Sequence, residues 1–287
     1  MNELKKTAQF IRGLQGATLE DSNMQPDNID HLRTANLGPH LNTENKHFIK
    51  LLWGFLSSTG ASEATYNDWH DLLLDCYPDD PFLSFNQMKQ RIKQLSGIVP
   101  IYHDMCQHTC VGFTDPLIDC DICPICGANC YRPDLCEPCR PFITIPLGPV
   151  IQAFYTSPET AEKMRYCERK TAKILNYAQT HKGKLEAYND TTCGRDYLNA
   201  VETGNINKDN ILVQFSLDSA QLYRDKESDY WIFVYIIHNL PPEVHYQKRF
   251  VILVGFIPGL EKIKDSDSFI YPVLYHISAL QNQGLQI

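Results

Sequence analysis

The sequence predicts an α+β protein with a helical N-terminal region, a cysteine-rich metal-binding segment and a strand-rich C-terminal region ending in a helix. Three observations carry this. Apolar residues recur at helical spacing between 44 and 97. Eight of the 11 cysteines crowd between Cys106 and Cys139. From residue 211 onward the apolar residues alternate or run continuously, as they do in strands. At 43% hydrophobic and 21% charged, the 287 residues have the composition of a folded protein, which excludes wholesale disorder. No run approaches the roughly 18 apolar residues of a membrane span. The opening MNELKKTAQF lacks the apolar stretch of a signal peptide, so neither a membrane nor a secreted protein is expected.

Residues 1–40 are polar, broken by Asn, Gln, Asp and Pro, and read as a loose, disordered tail. Within 44–58, Phe48, Leu51, Leu52 and Phe55 stand at i, i+3, i+4 and i+7, the pattern of an amphipathic helix. Ser62 is placed to cap a second helix carrying Tyr66, Trp69, Leu73 and Cys76. Ser84 is placed to cap a third, with Met88, Ile92 and Leu95 on one face, ending at Gly97. Three short helices suit either a DNA-reading unit or a packing module, and the absence of an Arg-rich face favours packing. Residues 141–149 read as an extended connector. Residues 158–181 then read as one helix holding the densest basic stretch, with Lys163, Arg165, Arg169, Lys170 and Lys173. Such a stretch is either a solvated face or a phosphate contact.

Strands follow. Residues 211–218 alternate, with Val213, Phe215 and Leu217 on one face. Residues 230–240 are almost wholly apolar and suit a buried strand, stopped by Pro241 and Pro242. Residues 250–256 make a third strand. Ile270, Val273, Leu274, Ile277 and Leu280 mark a closing helix over 269–283.

The cysteines fall into close pairs, Cys106–Cys110, Cys123–Cys126 and Cys136–Cys139. Spacers of two or three residues let both sulfurs of a pair reach one tetrahedral ion at about 2.3 Å, and two such knuckles make a closed four-thiolate zinc site. The predicted site is Cys106, Cys110, Cys123 and Cys126, with Gly127 supplying a tight turn. A closed set leaves no open coordination position, so the zinc would be structural. Cys120, Cys130, Cys136 and Cys139 are enough for a second site, and which pairs share an ion stays open at this point.

Asp218 closes the first predicted strand, a common position for a metal-bound carboxylate. A β-β-β-α order with an acidic residue on the first strand is how a ribonuclease-H-like fold begins. Enzymes of that fold hold two Mg²⁺ ions between carboxylates for phosphoryl transfer.

Several stretches in this order resemble the CACTA-type (En/Spm-like) DNA transposases. They are RIKQLSGIVP, YHDMCQHTCVGFTDPLIDCDICPICG, FITIPLGPVIQAFYTSPETAEKMRY, NILVQFSLDSAQLYRDKESDYWIF and VGFIPGLEKIKDSDSFIYPVLYHISALQ. The resemblance covers roughly residues 44–285. It implies DNA cleavage and strand transfer by a ribonuclease-H-like core, transposon-end DNA as partner, Mg²⁺ for catalysis and a nuclear location. The family's S-[IL]-D-G-A-Q-L-Y motif falls on 216–223, which makes Asp218 the implied catalytic carboxylate, although Ser219 replaces the usual Gly. Its C-x3-C and C-P-x-C-G knuckles fall on Cys106, Cys110, Cys123 and Cys126. Arg165, Arg169 and Lys170 are the candidate DNA contacts.

The expected organisation is a tail over 1–40, a helical region over 41–100, a zinc domain over 101–142, a linker with the basic helix over 143–205, and a partial ribonuclease-H-like domain over 206–287. The chain stops after one helix of that core, so the reading is an N-terminal part, inactive alone. The alternative is a zinc-stabilised module that binds DNA or protein without catalysis. A net charge of −8 means that any DNA contact must be local.

Overall fold

The computed structural model describes residues 3–34, 54–55, 62–79, 82–131, 138–221, 229–259 and 262–287. The chain divides into two compact units, one of residues 36–99 and one of residues 1–35 with 100–287.

In the smaller unit two helices are described, α3 (Glu63–Cys76) and α4 (Phe85–Ser96). The Ser62 hydroxyl accepts the Thr65 N–H at 3.2 Å. Ser84 and Gln87 cap each other reciprocally, and Gly97 ends α4 in the left-handed conformation. Tyr66 and Met88 form the buried centre, with Phe55, Leu83, Phe85 and Ile92 packed around them. Of the face expected on α3 only Tyr66 is buried, while Trp69 and Cys76 are exposed. The helix expected over 44–58 lies outside the described residues apart from 54–55.

The larger unit is built on one antiparallel sheet. Its strands are β1 (Ile101–Asp104), β2 (Pro141–Thr144), β3 (Val213–Gln221), β4 (Asp229–Ile237) and β5 (Ile252–Pro258), in spatial order β1-β2-β5-β4-β3. The three expected strands are present and consecutive, at shifted boundaries. β3 runs on to Gln221, which places Asp218 inside the strand and not at its end. The sheet is wider than the sequence suggested, because β1 and β2 add to the free side of β5. Both are four residues long and β2 begins with proline, too little for periodicity to register.

One face of the sheet carries the core. Phe233, Tyr235 and Ile237 from β4 and Ile252, Val254 and Ile257 from β5 meet Phe142 and the closing helix α10 (Ser266–Gln283) through Phe269 and Val273. Helix α1 (Glu3–Gln15) packs on α10, and α2 (Pro26–Thr34) packs on the helix Leu147–Thr156. The polar N-terminus is therefore not a loose tail. Ala17, Leu19, Ile29 and Leu32 are buried against Ala279, a partner that local composition cannot reveal. Gly13 lets α1 approach closely, since a Cβ there would fall 2.2 Å from the Tyr271 hydroxyl.

Residues 143–205 are not a linker. They form α5 (Leu147–Thr156), α6 (Pro158–Met164), α7 (Tyr166–Thr180), a 3₁₀ turn at Thr191–Cys193 and α8 (Arg195–Glu202). Leu147 and Ile151 belong to the main core. The single helix expected over 158–181 is broken at Arg165. After β4, the proline pair opens a short turn of helix, α9 (Pro242–His245), with Pro241 as its N-cap. Among the described residues no helix is long and apolar enough to cross a membrane.

Two buried histidines flank the helix–sheet interface. His103 Nε2 pairs with Thr144 Oγ1 at 2.8 Å, and His276 Nε2 accepts the Gly148 N–H at 3.2 Å. Burial lowers both from the ordinary 6.5 to about 4. Between those values the unfolded chain takes up protons that the folded chain refuses. Stability should therefore fall as pH drops from 6.5 towards 4, by about 3 kcal/mol for each histidine. Urea midpoints measured between pH 7 and pH 5 should decline less steeply for His276→Gln, which keeps an acceptor but cannot titrate. Equal slopes would contradict the assignment.

Candidate metal centre

β1 and β2 are paired along their full length, Ile101 with Thr144 through to Asp104 with Pro141. The cysteine-rich segment is thus the connection between two hairpin strands, not a separate domain over 101–142, and it lies within the sheet-bearing unit. Asp104 leads directly into it.

Each of the first two cysteine pairs occupies a tight reverse turn. In the first, Met105 bridges Gly112, the Cys106 N–H donates to Val111 O at 3.0 Å, and the Thr109 N–H donates to Cys106 O at 2.8 Å. In the second, Ile122 bridges Asn129, the Cys123 N–H donates to Ala128 O at 2.8 Å, and the Gly127 N–H donates to Cys123 O at 2.9 Å. Both turns need a residue at positive φ. Gly127 meets this freely at 73°, while Thr109 adopts 56°, which a β-branched residue rarely does. Thr109 is also fully buried with its hydroxyl unpartnered, so its backbone is held by the turn against local preference.

The two turns bring Cys106, Cys110, Cys123 and Cys126 together, with all four ligand atoms within 4.8 Å of one another. Cys106 Sγ and Cys126 Sγ are 3.5 Å apart. These are the four cysteines that the spacing selects, and their arrangement can hold one metal ion. Burial pushes the Cys106 thiol up to about 12, and Cys110 is raised by the same cause. Burial also works against ionisation of Cys126. The Ala128 N–H and the thiols of Cys106, Cys123 and Cys110 outweigh it and bring Cys126 down to about 7. Cys126 therefore ionises more readily than Cys106 and Cys110, and binding a metal through those two buried thiols must release protons.

Hydrogen bonds join this centre to α10. The Asp265 and Lys264 N–H groups donate to Cys110 O at 3.0 and 3.3 Å. The Gly112 N–H donates to Ser268 Oγ at 2.9 Å, and Thr114 Oγ1 donates to Ser268 O at 2.5 Å. No spacing rule pointed to Ser268, since its partners lie more than 150 residues earlier in the chain.

Farther along, Tyr131 bridges Pro138 and the Cys139 N–H donates to Cys130 O at 2.8 Å. Cys136 lies outside the described residues. Among the described residues, Cys106, Cys110, Cys123 and Cys126 are the one group of three or more gathered ligands. Cys130 and Cys120 pack with Val111, Phe113 and Leu117 in the small apolar cluster around that group.

The other expected site residues stand apart from it. Asp218 is exposed on β3, opposite Ile232, and accepts its neighbour Ser219's N–H at 2.8 Å. Arg165 lies at the break between α6 and α7 and lines a cavity of about 740 Å³ with Tyr155, Tyr197 and Lys208. Lys170 lines a different cavity of about 500 Å³, beside Lys173 and Tyr177. Arg169 is ion-paired with Glu162. The three basic residues are therefore not brought to one site.

Comparison with protein-family models, curated proteins and solved structures returns no match. The centre itself predicts one divalent ion per chain. Cys123→Ser should lower the metal content measured by elemental analysis. Cys193→Ser should leave it unchanged, because Cys193 is buried elsewhere, beside Asn189. A folded, reduced sample without metal would contradict the assignment.

Proposed function

We propose that this chain is a DNA-processing protein of the CACTA transposase type, in which a structural zinc ion fastens the start of a ribonuclease-H-like core, and that by itself it binds DNA without cutting it. The observation that carries the reading is the union of two features in one unit. Four-cysteine knuckles at that family's spacing are bonded to the first turn of α10, and α10 follows a β3–β4–β5 meander bearing Asp218. Four thiolates are soft ligands suited to zinc, and a closed set assigns the ion a structural role. The nucleus is the compartment this reading implies.

Asp218 supplies a hard oxygen ligand of the kind Mg²⁺ takes. Phosphoryl transfer by two ions about 3.5–4 Å apart requires several carboxylates around them. Among the described residues Asp218 belongs to no gathered group of three or more ligands. This supports binding without cleavage.

DNA contact falls to the α6–α7 region and not to the knuckles. Between Met105 and Tyr131 the charged residues are Asp115, Asp119 and Asp121, with no Lys or Arg, so the knuckle surface repels phosphate. The same acidic knuckles favour the second reading, a zinc-stabilised module that binds protein.

Two measurements test the proposal. In a gel-shift titration, affinity for duplex DNA should fall as salt rises. Replacing Arg165, Lys170 and Lys173 together by Ala should flatten the log–log salt dependence by about 2–3, since each phosphate contact contributes roughly 0.9. Absence of binding at about 50 mM salt, where such contacts are strongest, would remove the DNA reading. In the second, the zinc-loaded chain incubated with supercoiled DNA and Mg²⁺ or Mn²⁺ should show no nicking. Nicking abolished by Asp218→Ala would reveal a complete active site.

A further inference from the structure

The sheet has a second face, opposite the core. Strand register places Tyr102 beside Ile143, Ile143 beside Phe256, Phe256 beside Ile232, and Ile232 beside Asp218, so one row of side chains crosses all five strands on that face. Leu253 and Val234 form the next pair, and Tyr230 stacks on Phe256 with ring centroids 5.1 Å apart. None of these residues belongs to a buried apolar cluster of the described residues. Tyr102 and Leu253 are 64% and 43% exposed.

β4 makes this face unusual. Its core-side residues, Trp231, Phe233, Tyr235 and Ile237, alternate with Tyr230, Ile232, Val234 and Ile236 on the other side, where Ile236 at the strand end is buried and the other three are half-buried. A central strand that is apolar on both sides is the pattern of a sheet covered on both faces. The charge on the open face decides what can cover it. Its described strand positions carry Asp218 at one end of the row and Asp104 on β1 at the other, with no Lys or Arg. A second copy of the same face would set carboxylates against apolar side chains and against each other, which disfavours self-association.

We infer that the open face is a docking surface for an amphipathic helix of a partner chain, one with an apolar stripe bordered by Lys or Arg. The stripe would cover the Ile143–Phe256–Ile232 row, and the basic borders would meet Asp104 and Asp218. A helix is the layer that twisted sheets take, and apolar anchors at i, i+3, i+4 and i+7 with basic flanks match the face in both chemistry and charge. This goes beyond the DNA reading and does not depend on it.

The test titrates the zinc-loaded full chain into fluorescein-labelled peptides about 18 residues long, roughly five helical turns. One has leucine and lysine at helical spacing, one has glutamate in place of lysine, and one has the leucine–lysine order scrambled. The helix-spaced lysine peptide should bind at least about tenfold more tightly than the other two, and less tightly as salt rises. Tyr102→Lys and Leu253→Lys alter side chains already exposed, and each should weaken binding by about tenfold. Tyr188→Lys, at a 79% exposed position away from the sheet, should have no effect. Equal binding of the scrambled peptide, no binding of any peptide, or unchanged binding by both sheet-face variants would overturn the inference. So would concentration-dependent dimerisation abolished by Leu253→Lys, which would assign the face to a second copy. Should a variant fail to fold, the three-peptide comparison on the unaltered chain still decides.

Discussion

Four cysteine sulfurs gathered within 4.8 Å are the constraint on which the sheet-bearing unit depends. Among its described residues the connection from β1 to β2 contains reverse turns and isolated bridges but no extended element; apart from cysteines its buried cluster is Val111, Phe113 and Leu117, while Ile118, Ile122 and Ile125 are exposed. The four gathered thiols are what can add cohesion there, since a metal ion bound by such a set contributes about 10–16 kcal/mol where folding and binding are coupled. Once fixed, the first knuckle offers Cys110 O, Gly112 N and the Thr114 hydroxyl to the start of α10. α10 in turn carries Phe269 and Val273 into the core, receives α1, and adds Ala279 to the cluster of Leu19, Ile29 and Leu32. The route from four thiols to the N-terminal layer is one chain of contacts.

The parts of this arrangement that were legible in the sequence are those set by local rules. The Ser62 and Ser84 caps, the Gly97 terminus and the four selected cysteines follow from spacing within a few residues, where geometry leaves few alternatives. The β3–β4–β5–α10 order was legible because β4 is long and apolar. What was not legible depends on distant partners. Residues 3–34 look polar because their apolar side chains are sparse, yet Leu19 and Leu32 are fully buried in a cluster that draws on Ile101 and Ala279, and Leu32 lies against Gly148. The break at Arg165 likewise has no proline or glycine to announce it.

Asp218 illustrates the limit of a motif. The family resemblance reads the residues around it as a catalytic strand, yet among the described residues it belongs to no gathered group of three or more ligands. Position on a strand is set locally, whereas a two-metal site is set by what other strands and helices bring. The basic residues repeat the lesson. Arg165 and Lys170 are neighbours in sequence, yet they open into different cavities, and Arg169 is engaged by Glu162. The described unit therefore separates three features: a cysteine centre able to hold a metal ion, basic residues on the helices, and a sheet face outside the main core.

The most direct test of this account is amide hydrogen exchange on the full chain with and without a strong zinc chelator. The account predicts that chelation removes protection from Cys106, Thr109, Cys123 and Gly127. It also predicts loss at Gly112, Lys264 and Asp265, whose N–H groups bond across to α10 or to the knuckle. Protection lost within the knuckles but retained at Lys264 and Asp265 would contradict the claim that the metal centre holds the unit together.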